Sequence, residues 1–136
     1  MGFTTRRAFF LRIMSKHFRF TLAEDDENYL FLLHHALSTA FPGSSLATFT
    51  NAEDALHHIQ NSGTDILITN HGMGAMSGTE MIRRLRKQGF ALPIIMVSGS
   101  EDAEQEARDA GATEFLHKDI ALKRVVSDVL KLLAGR

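Results

Sequence analysis

Four polar interruptions in this 136-residue chain sit where apolar runs end, and their side chains are of types that can do chemistry. The first is Glu24-Asp25-Asp26-Glu27-Asn28, directly after Phe18-Arg19-Phe20-Thr21-Leu22-Ala23. Neighbouring carboxylates repel one another unless a cation lies between them, and a hard cation such as Mg²⁺ takes oxygen ligands. Glu24 and Asp25 are therefore candidate metal ligands, and the plainer alternative is an acidic turn that caps a helix. The second is Asn70, where Ile66-Leu67-Ile68-Thr69 passes into the glycine-rich His71-Gly72-Met73-Gly74-Ala75-Met76-Ser77-Gly78. The third and fourth are Ser98, after Ile94-Ile95-Met96-Val97, and Lys118, after Glu114-Phe115-Leu116-His117. Taken alone, Ser98 reads as a helix cap and Lys118 as a solvent-facing lysine. The histidines add little: His34-His35 and His57-His58 are adjacent pairs, and adjacent helical residues point about 100° apart and cannot hold one ion together. Only His71 and His117 flank the polar interruptions.

These residues need elements that bring them to one edge. The run with β-branched Ile66 and Ile68 reads as a buried parallel strand that delivers Asn70 to its C-terminal end. Phe18–Ala23, Ser45–Phe49, Ile94–Val97 and Glu114–Leu116 read as four further strands. Between them Leu30, Leu33, Leu37 and Phe41 have helical spacing until Pro42-Gly43. Thr50 or Asn51 caps a second helix, which ends at Asn61-Ser62-Gly63. Ser77 or Gly78 opens a third, with Met81, Ile82 and Leu85 inward and Arg83, Arg84, Arg86 and Lys87 outward. Ser100 caps a fourth, Glu101 to Ala110, whose inward face is only Ala103, Ala107 and Ala110, so its docking is expected to be weak. Leu122, Val125, Val126, Val129, Leu130 and Leu133 stripe a fifth. Five strand–helix alternations with short connections predict an α/β fold, a doubly wound parallel sheet with helices on both faces. In such sheets sites form at the C-terminal strand edge.

Length and 44% hydrophobic content predict one domain. A net charge of −1 supplies no general basic field for nucleic acid, so no direct nucleic-acid partner is expected. No cysteine excludes disulfides and thiolate metal sites, and no apolar run nears the roughly 18 residues of a membrane span, so a cytoplasmic location is expected. Residues 1–16 stand apart as a basic extension, with Arg6, Arg7, Arg12 and Lys16 against no acid and Phe9, Phe10, Leu11, Ile13 and Met14 between them. Arg12 interrupts any signal-peptide core. The extension is expected to be partly disordered or laid on the domain surface, the sharper alternative being a basic amphipathic segment that touches a membrane or a partner.

From about Phe18 to Leu133 the chain resembles the receiver domain of two-component response regulators. The resemblance rests on the acidic cluster after the first strand, the strand-three loop ending in Gly78, Ser98 after the fourth strand and Lys118 after the fifth. It implies the CheY-like, flavodoxin-like three-layer sandwich with strand order 2-1-3-4-5, and residues 17–136 as the receiver. It implies that Glu24, Asp25 and Gly72 make a Mg²⁺ site. It makes Ser98 and Lys118 the contacts of a phosphoryl group and Phe115 an aromatic switch. A histidine kinase or a downstream signalling protein would be the partner, and a homodimer through the fourth and fifth helices would follow by analogy.

Three departures bear on function. Asn70 stands at the phosphoacceptor position, where the family has Asp; an amide is a poor nucleophile, forms no aspartyl phosphate and weakens the Mg²⁺ site by one charge. Gly74 replaces a proline and leaves the loop freer. Asp119 replaces the proline after the lysine, and a cis bond before a non-proline residue costs about 3–4 kcal/mol, so either that bond is trans with the Lys118 loop displaced or strain is retained. The expected function is thus a standalone pseudo-receiver, not an enzyme, that signals by protein–protein contact through its acidic fourth helix. The alternatives are a conventional Mg²⁺-dependent phosphorelay receiver carrying an Asp-to-Asn change, and a flavodoxin-like small-ligand binder, which the acidic first turn disfavours because it would repel a phosphate.

Overall fold

A computed structural model describes residues 2–135, with side chains from Thr5 onward. The elements are α1 (Gly2–Ser15), β1 (Arg19–Ala23), α2 (Glu27–Ala40), β2 (Ser45–Phe49), α3 (Ala52–Ser62), β3 (Ile66–Thr69), α4 (Gly78–Lys87), β4 (Ile94–Ser98), α5 (Ala103–Ala110), β5 (Glu114–His117) and α6 (Lys118–Ala134). The strands form one sheet in the order β2-β1-β3-β4-β5, every pair parallel. The doubly wound α/β fold expected from the alternation, and the 2-1-3-4-5 order expected from the resemblance, are both present.

Side chains alternate across the pleat, so each central strand feeds two cores. In β3, Ile66 and Ile68 join Leu33, Leu37, Val125 and Val129 under α2 and α6. Leu67, between them, joins Leu56, Met81, Ile82 and Ala107 under α3, α4 and α5. All four β3 residues are buried. The register puts Ala23 beside Thr69, and Met96 beside Thr69 on the other side, so the ends of β1, β3 and β4 reach one level at the C-terminal edge.

Local chemistry sets the helix starts. Asp26 caps α2 by accepting from Asn28 N and Tyr29 N, Asn51 caps α3 through Asp54 N, and Ser77 caps α4 through Glu80 N. Ser100 does not cap α5 with its side chain: the helix begins at Ala103, and Asp102 at its N-cap makes no side-chain bond. α6 begins at Lys118, before the apolar stripe, because His117 Nδ1 accepts from Asp119 N and closes its first turn. No cis peptide bond occurs among the described residues, so the Lys118–Asp119 bond is trans. The asparaginyl loop also differs from a proline-bearing one: Gly74 has φ +77°, a conformation closed to proline.

Of the two arms expected for the N-terminal extension, the one laid on the domain is seen: Gly2–Ser15 is helical, Ile13 is buried in the α2–α6 core, and Phe9 and Met14 pack against it, which is the apolar area that orders the segment. Met1 lies outside the described residues. Arg86 does not face solvent with the other basic residues of α4. Its guanidinium donates to Phe90 O, Leu92 O and Gly111 O at 2.8, 2.7 and 3.0 Å, so it satisfies carbonyls that the chain exposes on entering β4 and leaving α5.

Candidate functional site

Asn70 leaves β3 with its backbone N donating to Ala23 O, so β1 and β3 are stitched together to the last residue before the loop. The loop then turns back close to the strand: Gly78 N donates to His71 O at 2.7 Å, and a Cβ built on Gly78 would lie 1.9 Å from Asn70 O. Only glycine fits that approach. His71 is held outside the polar cluster, its Nδ1 at 2.8 Å from the hydroxyl of buried Thr79.

The Asn70 side chain is fully engaged. Its Nδ2 donates to Glu24 Oε2 and Asp25 Oδ1, both at 3.1 Å, and to Gly72 O at 3.4 Å; its Oδ1 accepts from His71 N at 2.8 Å. Reversing the amide would set Oδ1 against two carboxylates and NH₂ against an N–H, so the surroundings fix its orientation. The three groups named from the sequence as metal ligands, Glu24, Asp25 and Gly72, thus converge on one point, and at that point stands an amide nitrogen. Among the described residues no cluster of three or more His, Cys, Asp or Glu side chains is placed to hold a metal ion.

Lys118 does not meet Asn70. Its Nζ lies 3.0 Å from Glu24 Oε1, off the hydrogen-bonding direction, and 4.6 Å from the centroid of the Tyr29 ring. Tyr29 Oη in turn donates to Lys118 O at 3.2 Å, so one tyrosine holds both ends of the lysine. Glu24 is 1% exposed, and burial pushes its carboxyl above the ordinary carboxylate value; the Asp26 N–H at 3.0 Å and the Lys118 ammonium pull the other way. Burial, then the charges of Glu24 and Asp119, push the Tyr29 phenol up to about 12. Tyr29 was missed in the sequence, although the chain's one tyrosine, in the first helical turn after an acidic cluster, was a signal available there.

Ser98 and Phe115 complete the inventory on the far side. Ser98 is buried at the end of β4, paired with His117, and its Oγ accepts from Ser100 N at 3.2 Å. Phe115 is half-buried and packs against the α3–α5 core. The structure therefore brings Glu24, Asp25, Asn70, Gly72 and Lys118 into one hydrogen-bonded and ion-paired cluster, with Ser98 and Phe115 on the neighbouring strands β4 and β5. His117 serves as the α6 cap, and among the described residues no helix is long and apolar enough to cross a membrane.

Known proteins share this fold. The family described as "Response regulator receiver domain" matches residues 20–130. Response regulator MprA of Mycobacterium sp. (strain KMS) is 29% identical over 117 residues, which cover 85% of this chain and 50% of that protein. Two-component response regulator PhoP of Pseudomonas aeruginosa is 29% identical over 106 residues, covering 75% and 47%. The crystal structure of a CheY-like response regulator receiver domain protein from Methanospirillum hungatei superposes with a TM-score of 0.79 at 21% identity, over 88% of this chain and 96% of that one. The chain spans about half the length of the curated relatives it matches.

Proposed function

Because the chain belongs to the response regulator receiver family, we propose that it is a receiver whose switch has been fixed in one state and that it signals by protein contact rather than by accepting a phosphoryl group. The observation that carries this reading is the set of bonds around Asn70. A phosphoacceptor must offer a carboxylate oxygen to the donor. Here the position offers an amide whose nitrogen is spent on Glu24, Asp25 and Gly72 and whose oxygen is spent on His71 N.

The same bonds weigh against Mg²⁺ at this site. A divalent ion needs those three oxygens as ligands of its own, and the two hydrogens of the Asn70 amide are already shared among them, so the residues present fit the ion poorly. The amide hydrogens, together with the Lys118 ammonium on Glu24, neutralise the mutual repulsion that the ion would otherwise relieve. No step in the proposed function passes through a metal.

Partner contact is assigned to the opposite edge of the sheet, on α5 and β5. Glu101, Asp102, Glu106 and Asp109 are exposed there, and only part of the charge on this helix is met, by Arg108 on Glu104 at 2.9 Å and by Arg83 on Glu106 at 4.0 Å. A basic surface on a histidine kinase or downstream signalling protein suits that face.

Intact mass after incubation with Mg²⁺ and acetyl phosphate tests the reading. The native chain is expected to show no phosphoryl adduct, and Asn70→Asp, which returns the carboxylate among ligands already in place, is expected to show one. A stoichiometric adduct on the native chain would overturn the proposal.

A further inference from the structure

Two surfaces outside the Asn70 cluster lack partners, and they are complementary. The first is a groove of about 470 Å³ beside the N-terminal half of α2, where Leu30, Phe31 and Phe49 make an apolar floor and Glu27 and Asp54 supply the charge. Phe31 is 69% exposed and stacks only on His35 of its own helix, while Leu32 beside it is 46% exposed. Neither Glu27 nor Asp54 has an ion pair among the described residues. The second surface is the outward face of α1. Arg6, Arg7, Phe10 and Leu11 line a shallow pocket there, and Leu11 is 56% exposed. Arg6 rests on the Phe10 ring and Arg12 on Phe9, and none of Arg6, Arg7 and Arg12 meets a carboxylate among the described residues.

Their positions on one helix are what join them. α1 lies against the C-terminal end of α2, where Leu11, Met14 and Ser15 face Thr39, Ala40 and Pro42. The acidic groove lies against the N-terminal end of the same helix, about 15 Å away at 1.5 Å per residue. A two-fold axis across the middle of α2 brings the end of the helix that carries α1 in one copy to the end that carries the groove in the other, and does so twice. It also places Phe31 and Leu32 of both copies along the shared seam. We infer that the chain pairs with a second copy of itself through antiparallel α2 helices, each α1 seating its Arg6, Arg7 and Leu11 against Glu27, Asp54 and Phe31 of the other copy. An isologous contact of this kind closes on itself and forms each ion pair twice. It uses the β2 edge of the sheet and leaves α5 free, so nothing in it depends on Asn70 or on phosphate.

Sedimentation velocity of the whole 136-residue chain tests it. A monomer–dimer equilibrium is expected that weakens at least tenfold between about 0.05 and 0.5 M salt, as partly exposed ion pairs require. Phe31→Glu, at a side chain that packs against no core residue, should leave the far-ultraviolet dichroism unchanged and abolish the dimer. The decisive arm is a charge exchange. Arg6→Glu/Arg7→Glu alone and Glu27→Lys/Asp54→Asn alone should each sediment as monomers, and an equimolar mixture of the two should dimerise again. A chain that stays monomeric at every concentration and salt overturns the inference. So does a dimer that survives Phe31→Glu and both charge reversals, which would place the interface elsewhere, including the α5–α6 face.

Discussion

The two sides of Asn70 are built on different principles. Toward β1 and α6, every polar group meets another: amide on carboxylates, ammonium on Glu24 and on the Tyr29 ring, phenol on a backbone carbonyl. Toward β4 and α5, the contacts are sparse. Ser98 bonds a backbone N–H two residues on, and α5 is anchored by Ala103, Ala107 and Ala110, whose methyl groups bury little area. α6 buries Val125, Val129 and Leu133 instead. The first side has the character of a locked joint and the second of a loosely docked one. A change of charge at residue 70 therefore works on the rigid side, and whatever moves must move on the other.

Breaking the locked side should give the largest effects. Lys118→Met leaves buried Glu24 without its cation and is expected to cost about 3 kcal/mol in urea unfolding at neutral pH. Its pH dependence has a definite sign. Losing the ammonium raises a carboxyl already pushed up by burial, so the folded variant binds more protons than the unfolded chain from the unfolded value near 4.5 upward to the folded one. The variant's stability must fall as pH rises through that window, and its deficit should shrink to little below it. Equal deficits at pH 4 and pH 7.5 would show that Glu24 is not the group involved. Gly78→Ala drives a Cβ into Asn70 O, the atom common to both sides, and should cost about 2–3 kcal/mol in the same measurement.

Smaller changes sharpen the contrast. Tyr29→Phe removes one hydrogen bond, to Lys118 O, and should cost about 1 kcal/mol while leaving the ring under the ammonium. In the native chain the absorbance of that phenolate should rise near pH 12 rather than 10, with no second tyrosine to obscure it. A rise near 10 would mean that Tyr29 is not buried against Glu24. On the loose side, Ser98→Ala should cost only about 0.5–1 kcal/mol. Amide hydrogen exchange should run faster in α5 than in α6, and equal protection would erase the distinction between the two sides.

The fold was legible because the strands of a parallel sheet are nearly continuous apolar runs and their ends are marked by polar residues, so the sequence placed the ends of β1 and β3 at Ala23 and Thr69 and that of β4 within one residue of Ser98. The composition of the site was legible for the same reason. What pairs with what was not. That Lys118 pairs with Glu24 could not be read, because which carboxylate an ammonium reaches depends on where α6 starts, and that start is set by the His117 cap and the trans Lys118–Asp119 bond. The fate of Arg86 was hidden because periodicity assigns a face and says nothing about a long side chain that bends back to carbonyls. The N-terminal helix was hidden because its apolar residues are spread around the axis, and only the presence of α6 selects Phe9, Ile13 and Met14 as the buried set.

Gly78 has a bearing on heredity as well as on packing. A codon for Asn becomes one for Asp by a single base change, so a carboxylate at residue 70 lies within easy mutational reach of this gene. The neighbouring requirement is far stricter, because no side chain other than hydrogen fits against the Asn70 carbonyl. A lineage with this sequence can exchange amide for carboxylate at residue 70 without rebuilding its loop, because the close approach at Gly78 is the same for either side chain.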